Sequence, residues 1–418
     1  MKSRKLAGMS PVIPIFLCLI IAIILPLIFK SDLLLSILCE IGIMAIFALS
    51  YNMLLGQTGL LSFGHAVYYG IGAFGTIHTL NILKHHSFIS ISMLPLIGGL
   101  TALLLAIIFG FVSTKKSGTT FSMITLGLGE MVHSCSVLIP DFFGGEGGIS
   151  GNRMIMKPDV FGISYGPQIQ FYFLVLVWLI ISAFFMFFIT KTPLGKMANA
   201  VRDNHERAEF IGYNPQKVRF YMTVLSGFFA GISGGLTALN YEIVTAETLN
   251  AGTSGIVLLM SFVGGIGSFF GPIIGAVVIT MMKIFVGGLS KAWLLYLGIL
   301  FITMVLFIPG GIAGILKSQS ILWSKVSPLK LIPKYLISCI PIICASLGVI
   351  LVIEMTYVFL GNDTNVSQAH LMIAGLTINT SNIFPWIASV GAIVIGKKLF
   401  ELYWHYSWVP LFDILDKP

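Results

Sequence analysis

Charge is what this chain has least of. Only 10% of its 418 residues are Asp, Glu, Lys or Arg, against about 25% in a soluble domain. With 56% hydrophobic residues and a mean hydropathy of +0.97, such a chain cannot be soluble and has to live in lipid. Alternating apolar and polar strands are also missing, which excludes a membrane barrel. Cysteines are few and odd in number: Cys18, Cys39, Cys135, Cys339 and Cys344. None forms a CxxC and all fall in or near apolar runs, so they read as small buried hydrophobes, neither disulfides nor metal ligands. There is no GxxxxGK(S/T); the nearest approach, Gly195-Lys196-Met197, lacks both the first glycine and the hydroxyl residue. The chain is therefore not expected to bind or hydrolyse ATP. HExxH, GxSxG and Cys/His metal spacings are missing too, which leaves a membrane hydrolase unsupported. No TVGYG filter and no ladder of intramembrane carboxylates or arginines occurs, which argues against a channel, a proton relay or a voltage sensor.

What is present is a series of long apolar runs, near 11–29, 33–55, 60–82, 92–113, 119–139, 169–190, 217–239 and 292–310. The first lacks the short core and small-residue cleavage site of a signal peptide and reads as a membrane helix behind a basic start of Lys2, Arg4 and Lys5. The run at 254–285 is too long for one crossing. GGIGSFFGP, from Gly264 to Pro272, should break it into two helices that need not both cross fully. Two further spans follow at about 333–355 and near the C-terminus, where polar residues 377–382 delay the start to about Ile383. The fold class expected is an all-α integral membrane protein, a polytopic bundle of about ten core helices plus about two C-terminal ones. With the N-terminus inside, 18 of the 24 Lys and Arg fall on inner loops, which fits the positive-inside rule and explains the net charge of +8 without nucleic acid. The basic stretch 317–332, with Pro328, reads as an inner linker between a body at 1–316 and a membrane extension at 333–418. The sequons at Asn362 and Asn365 carry no weight, since chance matches are common.

Glycine is abundant, 45 residues, and placed at helical spacing. Gly227, Gly231 and Gly235 form GxxxGxxxG, and Gly271 and Gly275 another pair. Close helix packing accounts for them, and helices that pack closely and break easily could also line a polar route. The third run mixes Gln57, Ser62, His65 and Tyr69 into apolar sequence. That face should look into the bundle, with His65 as a pathway residue or a satisfied core histidine. Glu130 and His133, three apart, share a helix face, and a local ion pair is expected ahead of contact with a zwitterion. The loop from Phe142 to Arg153 is glycine-rich and could bind an anion, although a plain turn is the simpler reading.

The longest polar stretch is the island from Lys191 to Arg219. Thr192 and Pro193 predict a helix start, and Gly212 with Pro215 a stop. Between them Leu194, Met197, Val201, Ala208 and Ile211 can share one face, and Arg202/Glu206 and Asp203/Arg207 are opposite charges four apart. A solvated hairpin and an amphipathic helix that lies in a partner's groove both fit.

The island and several neighbouring stretches carry a family resemblance. They are GQTGLLSFGHAVYYGIGAF (56–74), TLGLGEM (125–131), GGEGGISG (144–151), AVRDNHERAEFIGYN (200–214), LSGFFAGISGGLTAL (225–239), SFVGGIGSFFGPIIGA (261–276) and LFIPGGIAGIL (306–316). Over about residues 10 to 316 the chain resembles the LivM-type permease subunits of bacterial branched-chain amino acid ABC importers. The resemblance implies that 200–212 is a coupling helix docking on the ATPase, with Arg202, Asp203, Asn204, Glu206, Arg207, Glu209 and Gly212 in the loop. It implies a heterodimeric pore with a LivH-like second permease, two ABC ATPase subunits carrying the ATP and magnesium, and a periplasmic substrate-binding protein. It places the chain as a multi-pass protein of the inner membrane with a cytosolic N-terminus, binding no cofactor and catalysing no reaction itself. Gln57, Ser62, His65, Tyr69 and Glu130 are the candidate translocation path. The ERAEFIGYN form of the loop departs from the commoner alanine-rich one, so urea or short-amide import is the nearest alternative. A carrier driven by an ion gradient is a more distant one, and a membrane scaffold is disfavoured by the glycine-broken spans.

Overall fold

In lipid every backbone polar group has to be satisfied internally, so a chain of this composition folds as helices. The structure, a computed structural model, describes residues 12–28, 31–83, 90–155, 164–325, 328–361, 370–373, 376–379 and 382–403. The basic N-terminal residues, both sequons and the side chain of Cys18 lie outside the described residues. The described chain runs α1 (Val12–Ile28), α2 (Asp32–Thr58), α3 (Ala66–Ile82), α4 (Leu94–Ser113), α5 (Gly118–Leu138), α6 (Pro140–Phe143) and α7 (Gln168–Lys191). It continues through α8 (Pro193–Asp203), α9 (His205–Phe210), α10 (Pro215–Tyr241), α11 (Ala251–Gly264), α12 (Gly271–Leu289), α13 (Trp293–Phe307) and α14 (Gly311–Lys325). The last helices are α15 (Pro328–Gly361) and α16 (Ile383–Tyr403). Two short antiparallel ribbons complete it: β1 (Ile149–Ser150) with β2 (Ile243–Val244), and β3 (His370–Ile373) with β4 (Leu376–Asn379).

This is an all-α polytopic membrane bundle. Among the described residues eight helices are long and apolar enough to cross a membrane, or nine if the bent pair α13–α14 counts as one span. The number falls short of the expected ten plus two because α1, α3 and α11 are only 17, 17 and 14 residues long. The third run does not begin as a helix. Gly59 ends α2 in a left-handed conformation (φ 69°), its N–H bonded to Leu55, and helix resumes only at Ala66. Gln57 and Thr58 thus belong to the end of α2, and Ser62 and His65 to an irregular break. The break at GGIGSFFGP falls where expected: α11 stops at Gly264, Gly265 has φ 110°, and α12 starts at Gly271. α16 starts at Ile383, as the delayed last span predicted, and of the polar residues before it 377–379 lie on β4, which pairs with β3. The basic stretch 317–332 is largely helical, split between α14 and α15. Cys39, Cys135, Cys339 and Cys344 are free thiols, but only Cys39 is buried; Cys339 is exposed.

The chain forms two compact units. Among the described residues the larger comprises those up to Ile284 together with Ile299–Ile315, and the smaller Phe285–Gly298 and those from Leu316 onward. At the centre of the larger unit stands α10, with 83% of its apolar window buried. It packs on α4 so closely that a Cβ on Gly231 would lie 2.3 Å from Ala102 Cβ and 2.4 Å from Gly98 O. This is the close helix packing read from GxxxGxxxG. Serine hydroxyls then bond across the contact between α10 and α2: Ser226 donates to Ser50 O (2.6 Å) and Ser233 to Ile43 O (2.7 Å). In the smaller unit α15 and α16 lie side by side, Gly348 against Ser389 O and Gly396 against Ala345. There Tyr296 donates to Glu354 (2.7 Å).

Gly231→Val should destabilise the bundle by about 3 kcal/mol or more, because the obstructing atom at Gly98 is backbone and cannot turn aside. Gly127→Ala, where an added Cβ meets nothing within 4 Å, should be near neutral. Thermal unfolding in detergent checks both, and equal midpoints would refute this account of the α10–α4 contact.

Candidate functional site

Two features of the larger unit combine polar groups with the bundle interior: the break between α2 and α3, and a cavity beside it. At the break His65 is fully buried. Ser50 donates its one hydroxyl proton to Phe47 O (2.7 Å), so it accepts from His65 Nε2 (3.1 Å). That assignment leaves Nδ1 as an acceptor with no donor. Phe47, Tyr51 and Tyr68 surround the ring at 5.2–5.7 Å between centroids. His65 is thus a core histidine with one nitrogen partnered. The backbone of the break is held by Ser122, which donates to Leu61 O, and by Tyr51, which donates to Ser62 O. Phe63 N–H and Ala66 N–H donate to Thr125 and Ser254. Ser62 Oγ and Gln57 Oε1 are buried without a partner.

The cavity, about 300 Å³, is walled by α2, α3, α10, α11, α12 and the loop after β2. Of the sequence-predicted path residues only Tyr69 lines it, its hydroxyl 2.6 Å from Thr237 Oγ1. Phe47 lines it too and stacks on both Tyr69 and His65, so the histidine lies one ring behind the wall. Glu130 is elsewhere, exposed on α5. The ion pair expected between Glu130 and His133 does not form, because His133 Nδ1 turns to Ala246 O (3.1 Å).

Sequence reasoning gave no role to the principal charges of the cavity, Glu40 on α2 and Lys283 on α12. They form an ion pair of 2.9 Å across 243 positions, with the Glu40 side chain only 11% exposed. Each alone is an isolated charge in an apolar run. The one available signal was Glu40 itself, since a lone carboxylate in a span requires a partner.

Arg153 is not free to bind an anion. It donates to Leu239 O (2.8 Å) and Gln168 Oε1 (3.1 Å) and pairs with Glu242 (3.4 Å). Burial lowers its pKa and Glu242 opposes that shift. It fastens the loop before α7 to the end of α10.

The polar island is two helices, not one. Thr192 precedes α8 and Pro193 opens it, as expected, and Gly212 follows α9 with φ 94°. Between them Asn204 is extended (φ −160°), and its Oδ1 accepts from Arg207 N–H (2.9 Å), starting a new helix. The kink removes both i,i+4 pairs, and Arg202 bonds its neighbour Asp203 instead (3.0 Å). Arg202 also donates to Gly56 O at the end of α2. The apolar face of α8 is used internally: Val201 is buried, and Leu194 and Met197 pack on the core. α9 contributes only Ala208 to the core, and the rest of α9 and its exit stay outside. Phe210 is 91% exposed, Ile211 70% and Tyr213 44%, with Glu206, Arg207 and Glu209 exposed around them.

A multi-pass helical bundle that encloses a half-polar cavity and carries a folded polar loop is the architecture of a membrane permease. The chain belongs to the family described as branched-chain amino acid transport system / permease component, whose model matches residues 33–309. Among curated relatives it is 28% identical, over 259 residues, to the high-affinity branched-chain amino acid transport system permease protein LivM of Escherichia coli K12. That match covers 56% of this chain and 59% of the relative. It is 25% identical over 281 residues to a probable LivM of Methanocaldococcus jannaschii, covering 58% and 78%. A probable LivH of the same archaeon matches at 30% over 109 residues, 25% of this chain and 32% of that one. No solved structure matches.

Asn204→Ala should remove the cap of a six-residue helix at a cost of about 1 kcal/mol. Amide exchange over His205–Phe210 should then speed up by about fivefold while α8 is unchanged. Unchanged exchange in α9 would show that Asn204 is not what starts it.

Proposed function

We propose that this chain is the LivM-type permease subunit of a bacterial ABC importer. It forms half of the translocation path for branched-chain or related amino acids, and α9 carries the coupling to separate ATPase subunits. The observation that supports the coupling is the division of labour in the island. The apolar face of α8 is spent on its own bundle, so Phe210, Ile211 and Tyr213, ringed by charge, are the surface left to dock. In this reading Glu206, Arg207, Glu209 and Gly212 belong to the docking segment. Arg202, Asp203 and Asn204 shape the hinge that presents it. The remaining partners are a LivH-like second permease and a periplasmic binding protein, with ATP and magnesium on the ATPases alone. The chain sits in the inner membrane with its N-terminus cytosolic.

Purification of the chain from gently solubilised native membrane should bring down a Walker-motif ATPase and a second permease. Glu209→Lys and Phe210→Asp should each reduce recovery of the ATPase about tenfold or more, as expected for a reversed charge and a truncated apolar anchor, with membrane insertion intact. Normal ATPase recovery in both variants would overturn the coupling assignment. A chain recovered alone, under conditions that preserve other ABC importers, would point to a carrier driven by an ion gradient.

A further inference from the structure

The cavity has a chemical direction that helix spacing makes plain. Along α2, Glu40, Met44 and Phe47 fall at intervals of four and three and form one stripe. It runs from a carboxylate to an aromatic ring over about 10 Å. On α12, Lys283 and Ile279 are one turn apart, and Lys283 meets Glu40, so Ile279 lies on the apolar side. Along α11 the lining passes from Thr253 to Met260. One end of the space is therefore charged and hydroxylated, and the other is aliphatic and aromatic. Its volume of about 300 Å³ lies at the small end of small-molecule sites.

Two observations indicate that the charged end is built for a ligand. Glu40 and Lys283 contact each other through one N–O approach of 2.9 Å, with Glu40 largely out of water and Lys283 46% exposed, and the Tyr241 hydroxyl also bonds Glu40. A carboxylate and an ammonium so engaged each retain capacity for one further partner. Beside them Thr280, a residue 1% exposed, lines the same space, and its hydroxyl, covered in the unliganded cavity, has no hydrogen-bond partner. A buried unpaired hydroxyl on a cavity wall is a place for an arriving polar atom.

We infer that this cavity is a binding site for a zwitterionic α-amino acid with an aliphatic side chain. Glu40 takes the ammonium group, Lys283 and Thr280 take the carboxylate, and Met44, Phe47 and Ile279 take the side chain. This rests on the permease reading above, which supplies the ligand class, and assigns the residues that hold each part of the ligand. Inserting a zwitterion exchanges one protein ion pair for two protein–ligand ion pairs, so no charge in the low-dielectric interior loses its partner. A ligand with only one of the two charges leaves Glu40 or Lys283 unpaired and is rejected. The exposed Glu247 on the loop after β2 adds a second carboxylate to the lining, so a purely cationic ligand is the competitor to exclude.

The test uses the complete complex purified with this chain and reconstituted in vesicles, with uptake of labelled L-leucine as the readout. Glu40→Gln and Lys283→Met should each lower uptake by about tenfold or more, as expected for losing a hydrogen bond to a charged group, while the complex still assembles. Thr280→Val, which keeps the volume, should raise the half-saturating concentration about fivefold. The double variant Glu40→Met/Lys283→Met decides between a structural and a binding role. If the pair only holds α2 to α12, removing both charges restores uptake to within about threefold of wild type, and the inference is overturned. If the pair binds substrate, the double variant is as poor as the singles. Equal uptake of leucinamide, which carries only the positive charge, would also overturn it. The two readings fail separately. A wild-type complex that moves leucine, with indifferent variants, overturns the site alone. An assembled wild-type complex that moves no leucine overturns the proposed substrate and the site together.

Discussion

The interior of a bilayer offers the backbone no water, so the carbonyls and N–H groups of this bundle have to find partners in the chain. The structure follows from how that demand is met around α2. Its carbonyls at Ser50 and Ile43 accept from Ser226 and Ser233 of α10. Its one intramembrane carboxylate, Glu40, is answered by Lys283. Where the backbone leaves the helix at Gly59, serine, threonine and tyrosine side chains from α2, α5 and α11 close the gap. An irregular segment at such a depth survives only with supports of this kind.

Glycine and serine divide the surface of α10 between them. Ser226 and Ser233 reach carbonyls of α2 on one side. Gly231 brings α10 against the backbone of α4 at Gly98 and that of α3 at Gly72 on the other. On α12 Gly275 does the same against Met260 O. Lipid tails give helices no hydrophobic reason to associate with one another in the membrane, so contact at this range and the bonds it permits are what specify the arrangement.

Much of this was legible in the sequence. Apolar runs marked most helices, and proline opened α8 at Pro193, whereas Pro215, read as the stop of the island's helix, opens α10. The glycine cluster at Gly264–Gly271 marked the break between α11 and α12. Three things were hidden. Gly59, in the short gap between the second and third runs, carried no local sign of the left-handed cap or of the break that runs on to Ala66. Asn204 sat among residues with strong helical pairing potential, and its side-chain bond to Arg207 prevailed over both i,i+4 charge pairs. The cavity was out of reach for another reason. Glu40 and Lys283 are separated by 243 positions, and no periodicity within one helix carries information about a pairing at that range. The family resemblance located the loop but not its working surface. Only the structure showed that α8 turns its apolar face inward and leaves Phe210 outside.

One helix joins these parts. α2 carries Glu40 in the cavity wall, His65's partner Ser50 near its middle, and Gly56 near its end, where Arg202 of the polar island donates to the carbonyl. Asn52 on the same segment donates to Ser268 O in the α11–α12 break (3.3 Å). From Glu40 to Gly56 is 16 residues of continuous helix, about 24 Å. A regular helix of that length, buried along most of its surface, cannot shift at one end without carrying the other. A motion of the island that pulls on Arg202 therefore bears on the end of α2 and on the break beside it. Through the same helix it bears on the spacing between Glu40 and Lys283. Contiguity through these bonds gives the island and the cavity a common mechanical element.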